Sequence, residues 1–384
     1  MARQTLNSLQ VLRGFASLAV VANHSFRAVT IYKPLGLLLP APLLLRNDWL
    51  VEIGAFGVDI FFVLSGFLMI FISKPYVEKR KPISDFVANR LIRIWPLYAL
   101  VTLLVCVLGV ARAFKTHTVD FDLEPLRLLS FFFVPSFNEK NLLQPILGPG
   151  WTLNYEILFY ICFAVALFVT RKWAVLGLTA ILFLLFIIGF VLPPSSIGGK
   201  FLFNSILFEF VFGSFVAIAF LNDSIPSFRA EYWLIAGAIS LGVLSQWPID
   251  DGYRALTRGV PAVLIFIGML RLEGRVAWSG FLLLLGNASY SIYLMHSIAV
   301  GLVAPKVLVL LAHHGLSIVA AELAAAVALV AGVTAGVICY QFVEKPVLKL
   351  CRELYTGFIK PQPPAGEPIG LVEVETTAPQ AKSL

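Results

Sequence analysis

Four ionisable side chains lie inside stretches of this chain that are otherwise apolar: Arg13, His24, Asp59 and Glu156. In a membrane helix such a group is costly unless it is paired or faces water, so each one is a candidate for a functional site. An imidazole has an ordinary pKa of about 6.5, which suits proton transfer near neutral pH. His24 is therefore a candidate catalytic group, and Glu156 or Asp59 could orient its ring.

The spacing of these residues predicts where they meet. Arg13 and His24 are eleven residues apart, and about three helical turns place them on one stripe, roughly 16 Å apart along the axis. Asp59 and Glu156 lie about seven and about five residues into their stretches, which puts both in the same outer third of the bilayer as His24. A shared polar cluster is expected. An interfacial histidine and carboxylates that cap or neutralise a neighbour are the structural alternatives.

The segment RLIRIWPLY at 90–98 places Arg90 and Arg93 one turn apart, just before Pro96. An arginine fork binds phosphate oxygens bidentately, so this pair suits a nucleotide-bearing ligand that arrives from the cytoplasm. Arg13 would extend such a path inward. The structural alternative is anchoring by the positive-inside rule, with Trp95 at the interface.

The elements that must position these residues are membrane helices. Of the 384 residues, 59% are hydrophobic and 13% are charged, and the mean hydropathy is +0.88, which excludes a water-soluble domain of this length. Stretches of about 20 apolar residues, enough to cross a bilayer as helix, recur along the chain. They lie near 6–26, 52–72, 92–111, 151–170, 173–191, 201–221, 232–247, 256–270, 282–304 and 319–343. The predicted fold is therefore all-α, a polytopic integral membrane protein with about ten transmembrane helices.

Basic residues in the short links predict the orientation, because cytoplasmic links carry an excess of lysine and arginine. The links after the second and fourth stretches contain Lys74, Lys79, Arg80, Lys81, Arg171 and Lys172. An even number of crossings then places both termini in the cytoplasm of a bacterial inner membrane. The net charge of +7 thus indicates topology and contact with the lipid bilayer, and no nucleic-acid partner is expected.

Neither a metal site nor a disulfide framework is predicted, because the four cysteines show no CxxC spacing. They are Cys106, Cys162, Cys339 and Cys351. From about residue 356 the composition turns to PQPPAGEP and then to polar residues that cannot form a core. We expect a membrane domain over 1–355 and a disordered cytoplasmic tail over 356–384.

Six segments in order resemble motifs of the membrane acyltransferase-3 family. They are LQVLRGFASLAVVANH (9–24), GVDIFFVLSGFLM (57–69), RLIRIWPLY (90–98), GPGWTLNYEILFY (148–160), LGNASYSIYLMH (285–296) and YQFVEKPV (340–347). Together they span the first to the tenth predicted helix, which makes the resemblance specific although each motif alone is weak.

The resemblance implies transfer of an acyl group, commonly acetyl, from cytoplasmic acyl-CoA to a hydroxyl of a sugar or lipid-linked glycan, as in the exopolysaccharide acetyltransferases. It implies catalytic roles for His24, Glu156 and Asp59. The donor-binding residues would be Arg13, Arg90 and Arg93. Substrate-binding roles are expected for Ser65, Trp151, Tyr290 and His296, with Trp151 as an interfacial anchor in the structural alternative. Polysaccharide-assembly proteins are expected partners.

Two chemistries remain open for His24. It would act as the general base for the acceptor hydroxyl, or it would be acylated itself and pass the group on. Two other classes of protein also remain. Intramembrane charges at matching depth are typical of a transporter or flippase, although paired broken helices in the two halves are absent from the sequence pattern. A polymer-assembly scaffold would need no buried Arg13.

Overall fold

A computed structural model describes residues 6–31, 54–116, 125–138, 142–247, 251–314 and 319–359. In these ranges the chain is helical, and the only β-pairing is an isolated bridge between Phe137 and Leu143. The prediction of an all-α fold is confirmed for the described residues. Short 3₁₀ and π-helical turns join or interrupt several of the helices.

The main helices follow the predicted apolar stretches in order. They are α1 (Asn7–Ile31), α2 (Gly57–Phe71), α3 (Ile83–Thr116), α4 (Trp151–Thr170), α5 (Ala174–Val191), α6 (Leu207–Leu221), α7 (Ala230–Leu244), α8 (Val260–Arg271), α9 (Gly280–His313), α10 (Ala320–Cys339) and α11 (Lys345–Ile359). Two of them, α3 and α9, are 34 residues long and extend well past the stretches predicted for them. The added ends of α3 are polar and therefore do not appear in an apolar pattern, whereas the added end of α9 at 305–313 is largely apolar and begins at Pro305.

Five helical stretches among the described residues are long and apolar enough to cross a membrane. They are Ile83–Lys115, Gly148–Val191, Ile197–Leu221, Gly280–His313 and Ala320–Gly357. Gly148–Val191 contains both α4 and α5, which a 3₁₀ turn at Arg171–Trp173 joins. Shorter apolar helices are α2 and α7. The chain is a helical membrane protein, whereas ten crossings and cytoplasmic termini stay predictions.

The C-terminal helix α11 continues through Ile359, past the boundary predicted at residue 355. Residues 360–384 lie outside the described residues, so the disordered tail also stays a prediction. Within the described part, Tyr355 of α11 donates a hydrogen bond to the carboxylate of Asp85 on α3, 2.8 Å away. This bond ties the last helix to the start of α3.

Glycines allow the helices that carry the site to touch backbone to backbone. A Cβ added at Gly66 of α2 would lie 2.0 Å from the carbonyl oxygen of Phe210, and one at Gly213 of α6 would lie 1.9 Å from that of Val63. On the other side, a Cβ at Gly286 of α9 would lie 2.0 Å from the carbonyl oxygen of Gln10. Small residues permit such close packing in membranes, where lipid supplies no hydrophobic force between helices. Helices α1, α2 and α9 thus form a fixed frame around one cavity.

Candidate active site

The cavity between α1, α2, α3, α4 and α9 has a volume of about 120 Å³. Three arginines and one carboxylate supply its charged lining: Arg13, Arg90, Arg93 and Glu156. Its hydroxyl groups belong to Ser65, Thr152, Tyr160, Ser289, Tyr290 and Tyr293, and most of the other lining residues are apolar. The structure therefore brings together all three predicted donor-binding arginines with Glu156, Ser65 and Tyr290.

Arg93 is held on two sides. Its Nη1 lies 3.1 Å from Oε1 of Glu344, and its guanidinium carbon lies 5.9 Å from the centre of the Tyr290 ring. Tyr290 is itself fixed, since its hydroxyl donates to the carbonyl of Ile94 at 2.7 Å. The guanidinium therefore enters the cavity from a defined position.

The other two arginines have no carboxylate partner within salt-bridge distance among the described residues. Arg13 donates to the side-chain oxygen of Gln10 at 3.3 Å, and it interacts electrostatically with Arg93, Glu344 and Glu156. Arg90 lies with its guanidinium carbon 5.9 Å from the centre of the Phe86 ring. Its Nε is buried and has no hydrogen-bond partner in the described part of the chain. The cavity thus has an excess of positive charge.

Glu156 accepts two hydrogen bonds at one oxygen, Oε1. Ser65 of α2 donates from 3.2 Å, and the hydroxyl of Tyr160, one turn further along α4, is the second donor. Glu156 therefore links α2 to α4 on the wall of the cavity, at the level of Arg13 rather than of His24.

His24 and His296 form a pair outside the cavity lining. Their ring centroids are 4.8 Å apart, with the planes tilted by 60°. His24 is exposed, whereas His296 of α9 is fully buried, and neither ring nitrogen of His296 has a well-formed hydrogen bond to a described residue. The ring of His296 also lies 5.9 Å from that of Tyr293, which lines the cavity. Two buried rings thus connect the cavity to His24.

The expected cluster of His24 with Asp59 and Glu156 is not what the structure shows. Among the described residues no hydrogen bond joins either carboxylate to His24, so neither orients the imidazole. Counting from the apolar boundary did not predict the partners of Glu156, which are Ser65 and Tyr160. The start of α4 is buried. It follows the turn Gly148–Gly150, where Pro149 and Gly150 are buried and a Cβ at Gly150 would lie 2.8 Å from the ring of Tyr98.

Asp59 belongs to a separate, sealed group of charges. Its two carboxylate oxygens accept bonds from Nε and Nη2 of Arg254, at 2.8 and 3.1 Å. Glu209 is fully buried next to this pair and interacts electrostatically with both members. The guanidinium carbon of Arg254 lies 5.8 Å from the centre of the Trp151 ring. Trp151 therefore packs against a buried cation and does not line the cavity.

Sequence reasoning missed Arg254, Glu209 and Glu344. Glu209 lies inside the apolar stretch 201–221, and Glu344 directly follows the stretch 319–343. The criterion that selected Arg13 would have found both if it had been applied to the second half of the chain. Arg254 lies just outside a stretch, and its partner on α2 is 195 residues away.

Comparison with known proteins agrees with the motifs. The family model of the acyltransferase-3 family, described as an acyltransferase domain, matches residues 6–341. The chain is also 35% identical over 309 residues to the exopolysaccharide production protein ExoZ of Rhizobium meliloti (strain 1021), a match that covers 78% of this chain and 91% of the relative. No solved structure matches the chain. With a family match over nearly all of its helices, the chain belongs to the acyltransferase-3 family of membrane acyltransferases.

Proposed function

We propose that this protein moves an acyl group, acetyl in the simplest case, from cytoplasmic acyl-CoA to a hydroxyl of an exopolysaccharide or lipid-linked glycan at a bacterial inner membrane. The observation that carries the proposal is the excess of arginine over carboxylate in a cavity inside a membrane protein of an acyltransferase family. Uncompensated cations in such a place are stable only beside water or an anionic ligand.

The donor is the ligand whose chemistry suits this cavity. Acyl-CoA has a phosphate-rich head and a long arm that ends in a thioester. Arginine forks bind phosphate oxygens with two parallel hydrogen bonds, which assigns Arg90 and Arg93 to the head. The apolar wall, with Phe61, Phe62 and Met69, would accept the arm.

Entry from the cytoplasm is supported by the start of α3. Arg90 and Arg93 lie in its first three turns, just after the exposed basic link at 79–81. Basic links of this kind mark the cytoplasmic side. The donor would therefore meet Arg90 and Arg93 first and Arg13 after them.

His24 is the proposed reaction centre. As general base it would take the proton from the acceptor hydroxyl while that oxygen attacks the thioester carbonyl, and the CoA thiolate would leave and take up a proton. In the covalent alternative the imidazole would attack the thioester carbonyl and displace the CoA thiolate. The acyl group would then pass from the imidazole to the acceptor hydroxyl. His296 and Tyr293, which connect His24 to the cavity, support a path between donor and base.

The acceptor is assigned from the relative. ExoZ is named for exopolysaccharide production, and a sugar hydroxyl is the ordinary acceptor for an O-acyl group. Polysaccharide-assembly proteins would deliver this acceptor. His24 is exposed and lies in the C-terminal half of α1, eleven residues beyond Arg13, which supports delivery from the opposite side to the donor.

Mass spectrometry of surface polysaccharides from cells with and without the gene tests the proposal. Fed with labelled acetyl precursor, cells with the protein should carry labelled acyl esters that the deleted strain lacks. Cells with His24→Ala or Arg13→Ala should contain normal amounts of membrane-inserted protein and about 100-fold less ester, the scale of a lost catalytic group.

Matched controls are His313→Ala and Arg352→Ala, since both side chains are exposed and outside the cavity. They should leave the ester content unchanged. Wild-type ester in the His24→Ala or Arg13→Ala strain would contradict the proposed reaction centre, and identical polysaccharides with and without the gene would contradict the acceptor.

A further inference from the structure

Glu344 is a fully buried carboxylate that lies outside the residues selected from the sequence. It ends the π-helical turn Tyr340–Glu344 between α10 and α11, and its side chain is 0% exposed. The backbone N–H of Lys345 bonds to the carbonyl of Tyr340, five residues back, and Pro346 after it has no N–H to donate. Single π-turns inside long helices often occur at functional sites because they redirect a side chain inward.

Both oxygens of Glu344 are occupied. Oε1 accepts from Nη1 of Arg93 at 3.1 Å, and Oε2 accepts from the hydroxyl of Ser291 at 2.5 Å. A buried carboxylate is stable only when it is paired and hydrogen-bonded in this way. Ser291 on α9 therefore fixes Glu344, and Glu344 fixes Arg93 on α3.

Most N–H groups of the Arg93 guanidinium are not engaged by Glu344. A guanidinium has five N–H groups, and one nitrogen is engaged by Glu344. The Tyr290 ring restricts the group on another side, and the residue lines the cavity. Holding a long side chain in one geometry before a ligand arrives removes part of the entropy cost of binding.

Arg93 differs from the other two cavity arginines in having a carboxylate partner. Arg90 and Arg13 have no carboxylate within salt-bridge distance in the described part of the chain, whereas Arg93 has one that is itself buried and anchored. A carboxylate next to a phosphate site would repel the ligand unless a cation lay between them. Arg93 occupies that place, since it lines the cavity and Glu344 does not.

We propose that Glu344 is a positioning residue that orients Arg93 toward the phosphate-bearing head of the acyl-CoA donor, with Ser291 as its anchor. The inference rests on the proposed function for the identity of the donor. It adds a residue that acts through Arg93 and does not touch the donor itself.

Titration calorimetry of the full-length protein in lipid nanodiscs, with free CoA as the probe, tests the proposal. Arg93→Ala and Glu344→Gln should each weaken CoA binding by about tenfold or more, as expected for a lost charge-assisted contact. The double variant should bind no more weakly than Arg93→Ala alone, because the positioning role of Glu344 needs the Arg93 guanidinium, and its negative charge near Arg13 does not itself favour an anionic ligand. Glu344→Asp, which keeps the charge, should recover part of the affinity.

Ser291→Ala tests the same network without removing a buried charge. It should weaken CoA binding in the same direction by a smaller factor, even if Glu344→Gln folds poorly. The matched control is Glu353→Gln, an exposed carboxylate on α11 that lies 3.9 Å from Lys349. It should bind CoA like the unmodified protein.

The outcomes separate this inference from the proposed function. Normal CoA affinity in both Glu344→Gln and Ser291→Ala, with weakened affinity in Arg93→Ala, would overturn the positioning role and leave the donor site intact. A further loss in the double variant beyond Arg93→Ala would also overturn it. Normal affinity in Arg93→Ala would contradict the donor site of the proposed function, and the inference would fail with it.

Discussion

Two groups of charges inside this protein differ in their balance and in what surrounds them. The cavity cluster, Arg13, Arg90, Arg93 and Glu156, lines a cavity of about 120 Å³. The sealed cluster, Asp59, Glu209 and Arg254, is buried between α2, α6 and the residue that precedes the π-helical turn Ala255–Gly259 before α8. In the first, cations outnumber carboxylates, and in the second they do not.

This difference distinguishes charges that stabilise the fold from charges that are available to a ligand. Arg254 uses two of its nitrogens on one carboxylate and rests against Trp151, so its charge is satisfied by the protein alone. Arg90 retains a buried Nε without a described partner, and Arg13 donates to an amide oxygen while no carboxylate of the described residues lies within salt-bridge distance of it. A buried charge that is paired within the protein joins helices, whereas a buried charge without a counter-ion in the protein attracts a ligand of opposite charge.

The largest expected effect on stability belongs to the sealed cluster. Arg254→Met should lower the free energy of unfolding by about 3–5 kcal/mol, because it leaves two buried carboxylates without their cation. Denaturant or thermal unfolding in detergent measures the change. Arg229→Met, at an exposed arginine paired with Glu231, is the control and should cost at most about 1 kcal/mol. A stable Arg254→Met protein that lost only transfer activity would break the comparison.

A smaller effect is expected in the cavity cluster, and on binding instead of stability. Arg90→Ala should weaken CoA binding by about 10- to 100-fold, the scale of hydrogen bonds to a charged group, with unchanged unfolding. The CoA affinity of Arg90→Lys should lie between those of Arg90→Ala and the unmodified protein, since an ammonium keeps the charge but loses the planar fork. Calorimetric titration with CoA checks both. Equal affinity for Arg90→Ala and the unmodified protein would remove Arg90 from the donor site.

The smallest effect is expected for Glu209→Gln. Neither oxygen of Glu209 accepts a well-formed hydrogen bond from a described residue, and Asp59 already holds Arg254 by two bonds. The amide should therefore change the free energy of unfolding by less than about 1 kcal/mol. A loss as large as that of Arg254→Met, measured in the same unfolding assay, would show that the sealed cluster depends on a second negative charge.

Residue type and short-range spacing predicted the cavity cluster well. Arg90 and Arg93 are one turn apart on one helix, so their joint presence at a site needed no long-range information. Arg13 was selected because an arginine in an apolar stretch must face something polar. The cavity brings all three together, and the family that the motifs predicted is confirmed.

Depth counting did not predict which groups the carboxylates contact. Glu156 accepts a hydrogen bond from Ser65 on another helix, and α4 itself starts at a buried turn. The partner of Asp59 is 195 residues later in the chain, and a pattern of neighbouring residues cannot predict a contact over such a sequence separation. The histidine pair was unpredictable for the same reason. His24 and His296 are far apart in the chain and meet because α1 packs against α9.

By itself the sequence determined the class of the molecule, its apolar helices and its family, because hydropathy, helical period and ordered motifs are local properties of the chain. Tertiary structure alone decided which charges are neutralised and which remain available. That outcome depends on helix contacts at glycines such as Gly66, Gly213 and Gly286. Such contacts set distances between residues that are far apart in the chain, and charge pairing in a membrane depends on those distances.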